Sequence, residues 1–201
     1  MWHMLHTIMT DYGAYLLREK TGTTQVAETL RRAIGILAHW DTPHFVVGGI
    51  AVQEHGYYRV TTDVDIVVPD AIEAVEFLTA DLSGPFERVP DRPGRLRDRT
   101  NGVFLDVLPA GRVLQRGCHV PFPTPHHVSE EPRFITVEQL ISLKLDSWTG
   151  APTRRAQDRA DVVNLILARK LPRDLKLHRA VQRAYEEIWD ALKKEGPGPQ
   201  A

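Results

Sequence analysis

Two acids, Asp63 and Asp65, alternate with apolar residues in Asp63-Val-Asp-Ile-Val-Val68, and a third, Asp106, interrupts Phe104-Leu-Asp-Val-Leu108. Both runs read as strands, and residues two apart on a strand point to one face. Like carboxylates side by side repel and raise each other's pKa unless a cation lies between them. A buried strand seldom carries a lone charge without a partner. Mg²⁺ is the usual cation for carboxylates that also meet substrate phosphates. Asp106 beside Asp63 and Asp65 would give a three-carboxylate site able to hold two such ions. Ahead of the acids lies Phe45-Val-Val-Gly-Gly-Ile-Ala-Val52. It reads as a short buried strand, a corner at Gly48-Gly49 and a helix from about Ile50 to Tyr57. Glycine lets the backbone turn sharply and approach a ligand closely, and the N–H groups at a helix start suit an anionic phosphate. The plain alternatives are a solvated strand edge or an Asx turn for the acids, and a simple tight turn for the glycines. Alternating acids are poor strand formers, so their presence here needs a reason.

The order Gly48-Gly49, then Arg59-x-Thr61-x-Asp63-x-Asp65, then Asp106 resembles the nucleotidyltransferase (polymerase-beta-like) superfamily over roughly residues 44–108. Many members carry Ser where this chain has Gly49, and that hydroxyl would touch a triphosphate oxygen. The resemblance implies an α+β fold: a small mixed β-sheet core flanked by helices, with a C-terminal helical bundle and a cleft between the two lobes. It implies transfer of a nucleoside monophosphate from an NTP to a hydroxyl. Asp63, Asp65 and Asp106 would be catalytic and would hold two Mg²⁺, with Gly48, Gly49, Arg59 and Thr61 at the nucleotide. Arg59 is equally suited to a phosphate or to a structural pair with Asp63.

The C-terminal half carries a second constellation. Lys144 sits in the mostly apolar Leu-Ile-Ser-Leu-Lys-Leu-Asp, and Arg154, Asp158 and Asp161 follow at spacings of four and three, which share one helix face. This resembles the C-terminal motif of AbiEii-like nucleotidyltransferases, which include toxins of type IV toxin–antitoxin systems. It implies that Lys144 meets nucleotide phosphates and that Asp161 positions a helper or the acceptor. It also implies an RNA or tRNA acceptor and a cognate antitoxin as partner. A salt-bridge ladder on a solvated face is the competing account. A catalytically inactive nucleotidyltransferase-fold protein that binds or regulates is the competing function.

The 201 residues suit one domain, or a catalytic lobe plus a helical lobe. The expected division is an N-terminal helical segment over 1–43, a core over 44–133, a helical lobe over 134–192 and a disordered tail over 193–201. The net charge of −1 advertises no overall basic field. The single cysteine, Cys118, forbids an internal disulfide and fits a reducing compartment. No apolar run approaches the ~20 residues of a membrane helix, and the first residues do not read as a signal peptide. The expectation is a soluble, cytoplasmic protein with no membrane partner.

Helical spacing is expected over Val26–Trp40, from Asp70 to Leu82, over Val137–Trp148 and from Thr153 to Lys170, with a last helix opening at Asp174. Asp70 and Thr136 are expected as N-caps. Asn101-Gly102 predicts a hairpin pairing Leu96–Thr100 with Val103–Leu108. The arginines at 88, 92, 95, 97 and 99 suit either RNA backbone or a charged edge that resists aggregation. His119, His126 and His127 lack the spacing of a zinc site.

Overall fold

The computed structural model describes residues 24–125 and 133–196. Residues 1–23 of the expected N-terminal segment, His126, His127 and most of the expected tail lie outside the described residues. The described elements, in chain order, are α1 (Thr24–His39), β1 (Phe45–Val47), α2 (Gly48–Glu54), β2 (Asp63–Val68), α3 (Ala71–Leu78), β3 (Phe86–Arg88), β4 (Arg95–Asp98), β5 (Phe104–Pro109), α4 (Val137–Gly150), α5 (Ala156–Arg169) and α6 (Gln182–Glu195). The sheet runs β1-β2-β5-β4-β3. Only the β2–β5 pair is parallel, so the sheet is mixed and the class is α+β, as expected. A parallel pair needs a long crossover, here supplied by α3, β3 and β4.

Alternation along the strands sorts the side chains into two layers. Val46, Val64, Ile66, Leu96, Leu105 and Val107 pack on one face with Leu30, Ala33 and Leu37 of α1 and Val75 and Leu78 of α3. Phe45, Val47 and Val67 turn the other way, against Leu140, Ile141 and Leu145 of α4, Val162 and Leu165 of α5, and Tyr185 and Ile188 of α6. The three acids belong to this second face, at the end where the helices leave a cleft. Asp70 caps α3 by accepting from the Ile72 and Glu73 N–H groups, and Thr136 caps α4 by accepting from Gln139.

Two local readings need correction. The last helix begins at Gln182 rather than Asp174. Gln182 instead binds the incoming chain, accepting from the Leu177 N–H and donating to the Leu175 carbonyl. The Ser142 hydroxyl accepts from the His178 N–H, so this stretch docks as an extended strap. The hairpin also does not close at Asn101-Gly102 as a two-residue turn. Asp98 takes the Thr100 N–H and hydroxyl, and Gly102 N–H returns to the Asp98 carbonyl. Thr100 is therefore loop, and Arg97 faces Phe104. Among the described residues, no helix is long and apolar enough to cross a membrane.

Candidate active site

Pairing across the sheet puts four residues in one line. Val47 lies opposite Asp65, Asp65 opposite Asp106, and Asp106 opposite Arg95. Partners directly opposite share a face, so this line crosses the floor of the cleft. Asp63 stands one step along β2 from Asp65 on the same face, opposite Phe104. The expected convergence of Asp63, Asp65 and Asp106 on one side of the sheet is what the strand register produces.

The glycine corner closes one end of the line. Gly48 follows Val47 directly and has φ +65°, a conformation costly for other residues. A Cβ there would run into the Asp65 carboxylate. A Cβ at Gly49 would run into the Thr61 hydroxyl, and Thr61 is buried at 6% exposure. The Thr61 hydroxyl fills the space that a Ser at position 49 would need, which accounts physically for glycine there. Both glycines are the first residues of α2, so the helix starts two residues earlier than expected, and its free N–H groups open beside Asp65.

Crowding of like charge shapes the acids. Burial, then the Asp63 and Asp106 carboxylates, push the Asp65 carboxyl up to about 7. Burial also raises Asp106, with Asp63 adding to the shift and Arg95 and Arg92 opposing it. Arg95 stands at the far end of the line. Its Nε lies 3.6 Å from Asp106 Oδ1 and its Nη2 4.0 Å from Asp63 Oδ2. Its guanidinium carbon sits 4.4 Å from the centre of the Phe104 ring. The buried Nε makes no hydrogen bond. Among the described residues no three acid, histidine or cysteine side chains close into an ion-holding group. The donor set still fits a hard divalent cation: three carboxylates stand on one face, burial and neighbouring acids raise Asp65 and Asp106, and no base hydrogen-bonds to them.

The helical lobe supplies the opposite wall. Lys144 on α4 is 6% exposed and reaches Asp158 at 2.9 Å and Asp161 at 2.6 Å, both on α5. Asp161 is fully buried and also takes a two-toothed contact from Arg59, at 2.7 Å from Nε and 2.9 Å from Nη2. Burial alone would raise the Asp161 carboxyl, but hydrogen bonds from Arg59, Lys144 and Gln157 hold it below its ordinary value. These groups form an interior network, not a ladder on a solvated face. Arg59 pairs with Asp161 instead of Asp63. Asp158 is met by Arg155 at 3.2 Å, one position beyond the expected Arg154. The Arg155 Nε also donates to Ser147 Oγ, which donates to Asp158.

The cleft encloses about 440 Å³ and is lined by Gly48, Gly49, Arg59, Thr61, Asp63, Asp65 and Asp106 on one side and by Lys144, Ser147, Arg154, Arg155 and Asp158 on the other. Asp161 lies beneath this surface and does not line it, so it positions Arg59 and Lys144. Apolar Leu108, Leu114, Phe122, Leu140 and Leu143 also line it, as does Arg95. Leu114 and Phe122 come from the long connection after β5. Asp146 holds that connection, accepting from the His119 N–H at 2.7 Å and the Val120 N–H at 2.8 Å.

Arg155 and Asp146 escaped the sequence reading, and Arg95 entered it only as one of the basic run at 88–99. Arg155 had the signal of an i,i+3 partner for Asp158. Most other arginines of the 88–99 stretch are surface pairs: Arg88 with Glu76, and Arg97 and Arg99 with Glu87. That is the charged-edge account, and Arg95 is the member that turns into the cleft.

No protein-family model matches the chain, and no curated protein matches it in sequence. The fold is similar to that of the antibiotic-resistance factor ANT(2'')-Ia in solution, at 17% identity over 86% of this chain and 97% of that one, with a TM-score of 0.52. ANT(2'')-Ia in complex with adenylyl-2''-tobramycin gives 15% identity, coverage of 87% and 100%, and a TM-score of 0.48. The Thermotoga maritima CCA-adding enzyme complexed with tRNA gives 16% identity over 87% of this chain but 44% of that one, with a TM-score of 0.42. At such identities the likeness is one of fold: the chain has a nucleotidyltransferase-like fold.

Proposed function

We propose that this chain is an Mg²⁺-dependent nucleotidyltransferase that moves a nucleoside monophosphate from an NTP to an acceptor hydroxyl. The observation that carries the reading is the line across the sheet, in which a helix start, Asp65 and Asp106 follow one another on the cleft floor. Asp63, Asp65 and Asp106 would hold the metal, which when bound supplies Lewis-acid charge at the phosphate and acidifies the acceptor hydroxyl. The α2 N–H groups, Thr61 and the Lys144–Arg155 wall receive the triphosphate and offset the charge that builds on the leaving pyrophosphate. Asp161 keeps Arg59 and Lys144 in place for that task. The acceptor oxygen bonds to the α-phosphorus as the α–β P–O bond breaks. Asp106, on the side from which the hydroxyl enters, takes its proton.

The resemblance of Lys144, Asp158 and Asp161 to toxin-like relatives points to an RNA or tRNA end as acceptor, a cognate antitoxin as partner and a cytoplasmic setting. The position of Arg95 between Asp63 and Asp106 favours a second reading, a binding or regulatory protein with no turnover. Paired incubations with α- and γ-labelled NTPs, Mg²⁺ and cell extract separate the two. Retention of the α label in an acceptor with release of labelled pyrophosphate supports transfer. Absence of label in any acceptor for every NTP, from folded protein, supports the second reading.

A further inference from the structure

The cleft floor has two differently charged ends. At the β1 end stand the glycine corner and the start of α2; at the β4 end stands Arg95, directly opposite Asp106. Burial raises both central carboxyls first, and the opposing positive charges then divide between them. Lys144 and Arg155 act on Asp65, whereas Arg95 and Arg92 act on Asp106. In-line displacement requires the entering and leaving oxygens on opposite sides of the phosphorus. With the leaving group at the glycine corner, the entering hydroxyl arrives from the side of Asp106 and Arg95.

Resting on the transferase reading above, we infer that Arg95 is an acceptor-side anion seat, and that the acceptor carries a phosphate next to its reacting hydroxyl. Three observations support the assignment. The Arg95 Nε is buried yet bonded to nothing, and its distances to Asp106 and Asp63 exceed those of direct hydrogen bonds. The guanidinium carbon lies 4.4 Å from the centre of the Phe104 ring, and Arg95 lines the cleft, so a planar fork of the kind that grips phosphate is held at its wall. Arg92 closes the tight turn that leads into β4, its carbonyl accepting from the Arg95 N–H, and adds a second positive charge on that side. A polycationic acceptor would meet two arginines beside the general base, whereas a phosphate would relieve them.

The test measures binding without turnover. Full-length protein, saturated with Ca²⁺ and a non-hydrolysable NTP, is titrated with a short labelled RNA ending in a 3′-hydroxyl, with a ribonucleoside 5′-monophosphate, and with tobramycin as a polycation. Arg95→Gln is expected to weaken the phosphate-bearing ligand by about tenfold or more and to lower its salt slope by about one. Arg95→Lys should recover part of the affinity but lose two-toothed recognition. Nucleotide binding is titrated alone in both proteins, and the acceptor affinities are compared at equal nucleotide saturation. Tight binding of the RNA but not the monophosphate identifies a strand end; the reverse identifies a small phosphorylated acceptor. Unchanged phosphate affinity in Arg95→Gln, or tobramycin binding that Arg95→Gln does not strengthen, overturns the inference. Failure of the wild type to bind NTP overturns the transferase reading instead, because the RNA titration repeated without nucleotide still reads the Arg95 seat.

Discussion

Two groups of buried or half-buried acids face each other across the cleft, and they are solved in opposite ways. Asp161 is enclosed and fully answered: Lys144, Arg59 and Gln157 donate to it, and its carboxyl is held below its ordinary value. Asp65 and Asp106 sit in a row with no comparable donors, and both are pushed above theirs. A fold that can satisfy one carboxylate completely has no need to leave two others strained. On the proposed reading, the unanswered pair marks where a ligand completes the electrostatics, and the answered one marks where the wall that serves it is fixed. The same contrast separates residues for chemistry from residues for position.

Breaking the unanswered side should have the largest effect. Asp63→Ala or Asp106→Ala should lower transfer by about 1000-fold or more, the loss of several kcal/mol of charge stabilisation, without loss of thermal stability. Breaking the answered side should do the reverse in stability. Asp161→Ala leaves Arg59 without its anion and Lys144 with Asp158 alone, and should cost about 3–5 kcal/mol in urea unfolding. Unchanged stability in that variant would dissolve the distinction between the two groups.

The two sides should also respond to pH with opposite sign in metal-free protein. Asp65 binds its proton more tightly folded than unfolded, so its contribution is fully present below about pH 4 and is lost as pH rises through about 7. Its slope cannot exceed one proton's worth, about 1.4 kcal/mol per pH unit. Asp161 behaves conversely: its contribution is present above the ordinary carboxylate range and lost as pH falls through its lowered value. Urea titrations across pH should show Asp65→Asn flattening the neutral limb and Asp161→Asn flattening the acid limb. The smallest effect is expected from the loop. Asp146→Ala strands the His119 and Val120 N–H groups, at about 1–3 kcal/mol, and hydrogen exchange should quicken at those two amides with only a modest change in transfer.

The unanswered side was legible in the sequence because it depends on local periodicity: acids alternating with valines, and a glycine pair between an apolar run and a helix. The fold class came with the family resemblance that those runs carry. Arg95 was not legible, because its place opposite Asp106 depends on hairpin register. A two-residue turn at Asn101-Gly102 puts a different arginine there, and the longer loop is set by Asp98 holding Thr100 while Asn101 reaches Gln25 and Thr29 on α1. Arg155 was hidden because i,i+3 and i,i+4 partners of Asp158 are both sterically allowed on a helix. The start of α6 was displaced by Gln182 binding the strap before it, a tertiary contact that no spacing encodes.

The most direct test of this division is calorimetric titration of an NTP into metal-free and Mg²⁺-loaded protein, with Asp65→Asn in parallel. Nucleotide binding should require Mg²⁺ in the wild type and disappear in Asp65→Asn while that variant stays folded. Binding that is indifferent to Mg²⁺, or that survives Asp65→Asn undiminished, would contradict the claim that these acids are left unanswered for a metal and its nucleotide.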